Sequence, residues 1–84
     1  MNKRKLLKKA LAGGRNLAFR EFVALVEAFG FRLARIAGSH HIFERPGIPE
    51  LVNVQNRSGQ AMPYQVRQFL ELVEQYNLAL GADK

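Results

Sequence analysis

Phe31-Arg32-Leu33-Ala34-Arg35-Ile36-Ala37-Gly38-Ser39-His40-His41-Ile42-Phe43-Glu44-Arg45 is the stretch that decides the fold. Phe31 and Leu33 alternate with Arg32 and Ala34, the period-two pattern of a half-buried strand. Gly38-Ser39 is a short turn, and His40 to Arg45 reads as the returning strand of a hairpin. Downstream, Pro46-Gly47-Ile48-Pro49 is a turn-rich connection, because proline fixes φ and glycine permits positive φ. Leu51 to Asn56 is a third strand with Val52 and Val54 on one face, and Ser58-Gly59-Gln60 ends it.

Helical patterns flank this β region. Upstream, Phe19, Phe22, Val23, Val26 and Phe29 recur at spacings of three and four, one apolar helical face. Asn16 suits the N-cap of that helix and Gly30 its end. Downstream, Pro63 opens a last helix whose stripe is Val66, Phe69, Leu70, Val73 and Tyr76, with Gln65, Arg67, Gln68, Glu71 and Glu74 outside. Residues 3–12 form a further short helix with Leu6, Leu7, Ala10 and Leu11 on one face, stopped by Gly13-Gly14. So short a helix is marginal in water unless its leucines dock on something. The expected fold is α+β: a helix, a three-stranded antiparallel sheet and a closing helix, with the helices on one sheet face. An extra short basic helix precedes it. One domain spans residues 17–78, after a basic N-terminal extension over 1–16 and before a loose tail over 79–84.

Composition narrows the function. The 84 residues are 48% apolar and 24% charged, which is globular rather than disordered. There is no cysteine, so disulfides and thiolate metal sites are excluded and a reducing cytoplasm is the natural setting. No apolar run approaches the roughly 20 residues of a membrane helix. Of the net charge of +6, the whole excess lies at the start. Lys3, Arg4, Lys5, Lys8, Lys9, Arg15 and Arg20 meet no acid before residue 21. Such asymmetry suits a polyanionic partner, or else a solvated tail.

His40 and His41 are the two histidines, the side chain that ordinarily changes charge near neutral pH. Adjacent residues on a strand point to opposite faces, so the two do not act as a pair. With no cysteine and diverging histidines, the ligands for zinc are missing, and neither metal nor cofactor is expected. If Phe43 faces the helices, His41 leans with it and His40 is the accessible one; if Ile42 is the core residue, the assignment reverses. An accessible imidazole can take a proton from a nucleophile or give one to a leaving group. Beside a basic surface, the polyanion with a built-in nucleophile is RNA. A deprotonated 2′-OH attacks the adjacent phosphodiester, and arginines stabilise the charge that develops. Ser39 is either simple turn chemistry or a group that positions the imidazole.

Phe29-Gly30-Phe31-Arg32-Leu33, then Gly38-Ser39-His40-His41-Ile42-Phe43, with Pro63-Tyr64-Gln65-Val66-Arg67-Gln68-Phe69-Leu70 at the closing helix, resembles the HicA family of bacterial toxins over residues 19–78. The resemblance implies a fold like a double-stranded-RNA-binding domain (dsRBD-like), α-β-β-β-α. It also implies a ribosome-independent mRNA interferase, an endoribonuclease that cuts RNA with a histidine of this motif. That histidine corresponds to His40 first and His41 second, with Gly38 and Ser39 as motif neighbours. The implied partners are mRNA and a HicB antitoxin that covers the active site. Two departures stand out. Many members carry V-P-x-H after the third strand, where this chain reads Val52-Asn53-Val54-Gln55-Asn56-Arg57. The basic stretch before residue 17 is absent from the shortest members, and its Lys3, Arg4, Lys5, Lys8, Lys9 and Arg15 are the candidates for RNA contact. A non-catalytic RNA-binding module is the alternative to the nuclease, and a docking role for the Leu6–Leu11 face a third reading.

Overall fold

The hairpin, its third strand and the flanking helices all form. In the computed structural model, which describes residues 2–81, α1 spans Lys3–Leu11, α2 Phe19–Ala28, β1 Arg32–Ala37, β2 His40–Arg45, β3 Ile48–Gln55 and α3 Pro63–Gln75. The strands make one antiparallel sheet in the order β1-β2-β3. This is the expected α+β architecture, α-β-β-β-α with an added N-terminal helix. Gly38 has φ of +60°, which a two-residue hairpin loop with glycine in first place needs. It sets Ala37 opposite His40 and thereby fixes which face each later residue takes.

The core lies between the sheet and the helices. Phe69 of α3 sits at its centre, met edge-on by Phe22, Phe29 and Phe31 at ring-centroid distances of 5.9, 5.6 and 5.7 Å. Edge-to-face rings set the positive rim of one against the negative face of another, worth about 0.5–1.5 kcal/mol per pair beyond burial. Phe43, Val52 and Val54 supply the sheet side, and Leu17, Leu25, Val26 and Val66 complete it.

α1 belongs to the same core. Asn2 caps it, its side-chain oxygen accepting from the Lys5 N–H at 3.1 Å. Leu6 and Ala10 are buried, while Leu11 is 67% exposed. The leucine face therefore docks within the chain, on α2 and α3, and is narrower than the pattern suggests. Lys9 Nζ pairs with Glu21 at 3.1 Å across the α1–α2 junction.

Four expectations are corrected. α2 starts at Phe19, not near Asn16. Residues 17–19 are held extended against 59–61 by Phe19 N–H to Gly59 C=O at 2.9 Å and Ala61 N–H to Leu17 C=O at 3.0 Å. Ala18 thus takes the cap position, and the Glu21 carboxylate accepts its N–H at 2.9 Å. β3 begins at Ile48, because only Pro46-Gly47 turns; Pro49 is tolerated since β3 is a sheet edge. β1 is exposed along its whole length. Phe31 is buried but precedes it, and Leu33 overhangs the helical layer. Gln65 of α3 is buried at 3% exposure because its Oε1 accepts the Gln55 N–H at 2.8 Å, and Leu72 joins the buried stripe. After α3, Leu78 and Leu80 pack against the core, and Gly81 N–H donates to Ala28 C=O at 2.8 Å. The end of the expected tail, residues 82–84, lies outside the described residues.

Two outcomes follow from the junction between α1 and α2. Gly14 has φ of +69°, and a Cβ there would stand 3.0 Å from Val66 Cγ1. Gly14→Ala is expected to lower unfolding free energy by about 2–4 kcal/mol, from left-handed strain plus overpacking. In chemical denaturation, Val66→Ala in the same chain should relieve only the overpacking part. Glu21 is held below its ordinary 4.5, first by the Ala18 N–H and then by the Lys9 ammonium. A lowered carboxylate stabilises above its unfolded value, and the benefit is lost as pH falls through the folded value. Glu21→Gln should therefore cost up to about 1 kcal/mol at neutral pH. Urea midpoints of the two proteins should converge below pH 4.5.

Candidate active site

Register decides what surrounds each histidine. On one face of the sheet, β2 contributes His40, Ile42 and Glu44. Their partners are Ala37, Arg35 and Arg32 on β1 for all three, and Gln55 and Asn53 on β3 for the first two. This is the face away from the helices, and Arg32, Arg35, Ala37, Glu44 and Asn53 on it are exposed. On the other face, His41 and Phe43 pair with Ile36 and Leu33 on β1, and with Val54 and Val52 on β3. Buried Phe43 is thus the core residue of β2, and the two histidines diverge as parity requires.

His40 is half-buried, and its Nδ1 lies 3.0 Å from Asn53 Oδ1. A diagonal neighbour on the same strand pair provides this contact, a spacing that reaches roughly 7–8 Å between backbones and suits polar side chains meeting tip to tip. Arg35 lies on that face too, diagonal to His40 across the β1–β2 pair. His41 packs on the α2 side. Its ring meets Phe19 edge-on at 4.8 Å, and its buried Nδ1 has no hydrogen-bond partner among the described residues. Phe19 therefore has a place beyond the helical stripe.

Gly38 and Ser39 form the exposed hairpin turn. The Ser39 C=O accepts the Asn56 N–H at 2.9 Å, bringing the end of β3 beside the turn. Asn56 in turn accepts from the Gly59 N–H at 2.8 Å, so this segment is built as a turn of its own. The basic residues of the N-terminal segment are not brought to His40. Lys3, Arg4, Lys5, Lys8 and Lys9 ride on α1, whose packing partners are α2 and α3, and Arg15 follows it in the connection. His40 looks out from the opposite side of the sheet. Among the described residues no three histidine or carboxylate side chains converge as metal ligands.

Asn53 and Arg35 are the residues that sequence reasoning missed. Parity along each strand places His40 but not its neighbours. Those need the register, and both strand pairs carry an irregularity, between Leu33 and Arg35 and between Phe43 and Arg45.

A small basic α+β domain with an imidazole standing on the free face of a three-stranded sheet, beside the hairpin turn, defines the class of molecule. Residues 19–74 match the family described as HicA toxin of bacterial toxin-antitoxin, and the chain belongs to that family. It is accordingly the toxin of a toxin–antitoxin pair, and an antitoxin is its implied partner. The match runs from the start of α2 into the end of α3 and leaves α1 outside it. No curated protein and no solved structure matches the chain.

His41→Phe preserves the ring on Phe19 and removes an unpaired buried nitrogen. Its thermal unfolding should stay within about 1 kcal/mol of wild type or improve. His41→Asp, which puts a carboxylate against Phe19, should cost about 2 kcal/mol or more.

Proposed function

We propose that this toxin is a metal-independent endoribonuclease that cleaves mRNA, with His40 as its general base and acid. The observation that carries the reading is the 3.0 Å contact of His40 Nδ1 with Asn53 Oδ1 on the open sheet face. An amide oxygen only accepts, so the bond puts the proton on Nδ1 and leaves the lone pair on Nε2. Nε2 takes the proton of a ribose 2′-OH. The 2′ oxygen attacks the adjacent phosphorus, the bond to the 5′ oxygen breaks, and a 2′,3′-cyclic phosphate remains on the upstream strand. The proton on the imidazolium passes to the departing 5′ oxygen, so a single imidazole serves both halves of the step. Arg35, on the same face, stabilises the negative charge spreading over the phosphate oxygens. His41, turned to the helices, is a packing residue in this reading.

Gly38 and Ser39, exposed at the hairpin turn, put no bulky side chain beside His40. Lys3, Arg4, Lys5, Lys8, Lys9 and Arg15 supply a positive field that raises the local concentration of RNA. A HicB-like antitoxin holds the activity in check, and the cytoplasm, where mRNA is translated, is the place of action. Among the described residues no helix is long and apolar enough to cross a membrane.

Purified protein should cut single-stranded mRNA in the presence of a chelator and leave cyclic phosphate ends. His40→Ala should lower the rate by about 100-fold or more. Asn53→Ala should lower kcat roughly 10–100-fold with little change in KM, because the imidazole loses its fixed tautomer. His41→Phe should keep cutting. Undiminished cleavage by His40→Ala would overturn the assignment. Salt-sensitive RNA binding by a wild type that never cuts would instead make the domain a binding module.

A further inference from the structure

A three-stranded sheet has two edges, and here they are treated differently. The β3 edge is obstructed near both ends. Pro49 has no N–H, the Gln55 N–H is taken by Gln65 of α3, and the Tyr76 hydroxyl donates to Glu50 from the end of α3. The β1 edge is open. Among the described residues no strand pairs along its outer side, and all six of its residues are exposed on both faces. Leu33 and Ile36 are 46% and 55% exposed. An outer row of unpaired backbone groups with apolar side chains beside it is a template for another strand.

Its side chains specify what kind of strand. The irregularity at Ala34 sorts β1 into two sets. Arg32 and Arg35 stand on the face of Glu44 and Ile42, while Leu33 and Ile36 stand on the face of Phe43 and His41. A strand added outside β1 needs acidic residues against the arginines and apolar residues, on alternate positions, against Leu33 and Ile36. A second copy of this chain does not fit. Pairing β1 with itself about a two-fold axis brings Arg32 and Arg35 against Arg35 and Arg32, and like charges on facing strands destabilise. RNA can answer the arginines but not the backbone edge or the two apolar side chains.

We infer that the free edge of β1, Arg32–Ala37, receives an extended segment of the antitoxin in which acidic and apolar residues alternate. The inference rests on family membership for the existence of that partner. It gives inhibition a structural route. The added strand neutralises Arg35 and builds a wall beside Ala37, the residue directly across from His40.

Hydrogen exchange on the free protein and on its complex with its cognate HicB-like antitoxin tests the edge directly. The outward amides of residues 32–37 should exchange on the order of 100-fold more slowly in the complex. Leu33→Asp combined with Ile36→Asp changes only exposed positions, and circular dichroism should show the wild-type fold. Its affinity for the antitoxin should fall by about tenfold or more, as buried apolar contact is replaced by like charge. A complex that forms with unchanged exchange in β1, or that tolerates the double variant, would overturn the edge while leaving the family reading intact. Failure of any complex to form would remove the partner and overturn the inference, while family membership stands on the match over residues 19–74. Protection of β1 by single-stranded RNA, or by self-association of the free protein, would also overturn the inference.

Discussion

The Phe69 ring, met on its sides by three other phenylalanines, is the contact on which the remainder of the molecule depends. Those three come from consecutive parts of the chain: Phe22 from within α2, Phe29 from its end, Phe31 from the step into β1. One ring from α3 thereby fixes where α2 stops and in what direction the hairpin leaves. With the departure of β1 fixed, the Gly38-Ser39 turn returns the chain in a single register, and the imidazole of His40 is carried to the outer face. The place of the imidazole beside the turn is set by packing some distance away, through a covalent path of a few residues.

Much of this is legible in the residues themselves. The spacing of Phe19, Phe22, Val26 and Phe29 can only be a helix, and the change to alternation at Phe31 marks the strand. Parity divides the two histidines without any coordinates. What the pattern cannot express is coverage. Leu33 and Ile36 alternate with arginine as they would under a helix, yet they stay 46% and 55% exposed. Gln65 reads as a surface residue because its partner, the Gln55 N–H, is a backbone group with no signature in sequence. Asn53 fails to stand out for a related reason: its meeting with His40 depends on how β3 slides along β2, and the irregularity near Arg45 hides that alignment.

The same geometry bears on the two departures from the family pattern. The segment Asn56-Arg57 after β3 holds no histidine, but its backbone is joined to Ser39 and its side chain to Gly59. The position next to the turn is therefore occupied by a structural asparagine. The polar neighbour that His40 does have comes from inside β3, where a residue two places along a strand shares its face.

α1 has a consequence of its own. Its leucine face is spent on α2 and α3, so its lysines form a rigid array rather than a sweeping tail, and that array is separated from His40 by the thickness of the domain. Its field reaches into solvent over about a Debye length, roughly 8–10 Å at physiological ionic strength, but makes no contact at the imidazole. In the proposed function, capture and turnover would thus fall to different sides of the molecule. Added salt slows the rate at which a polyanion arrives, while events at His40 on a molecule already seated keep their own pace. A mutation in either layer can change one of these rates without touching the other.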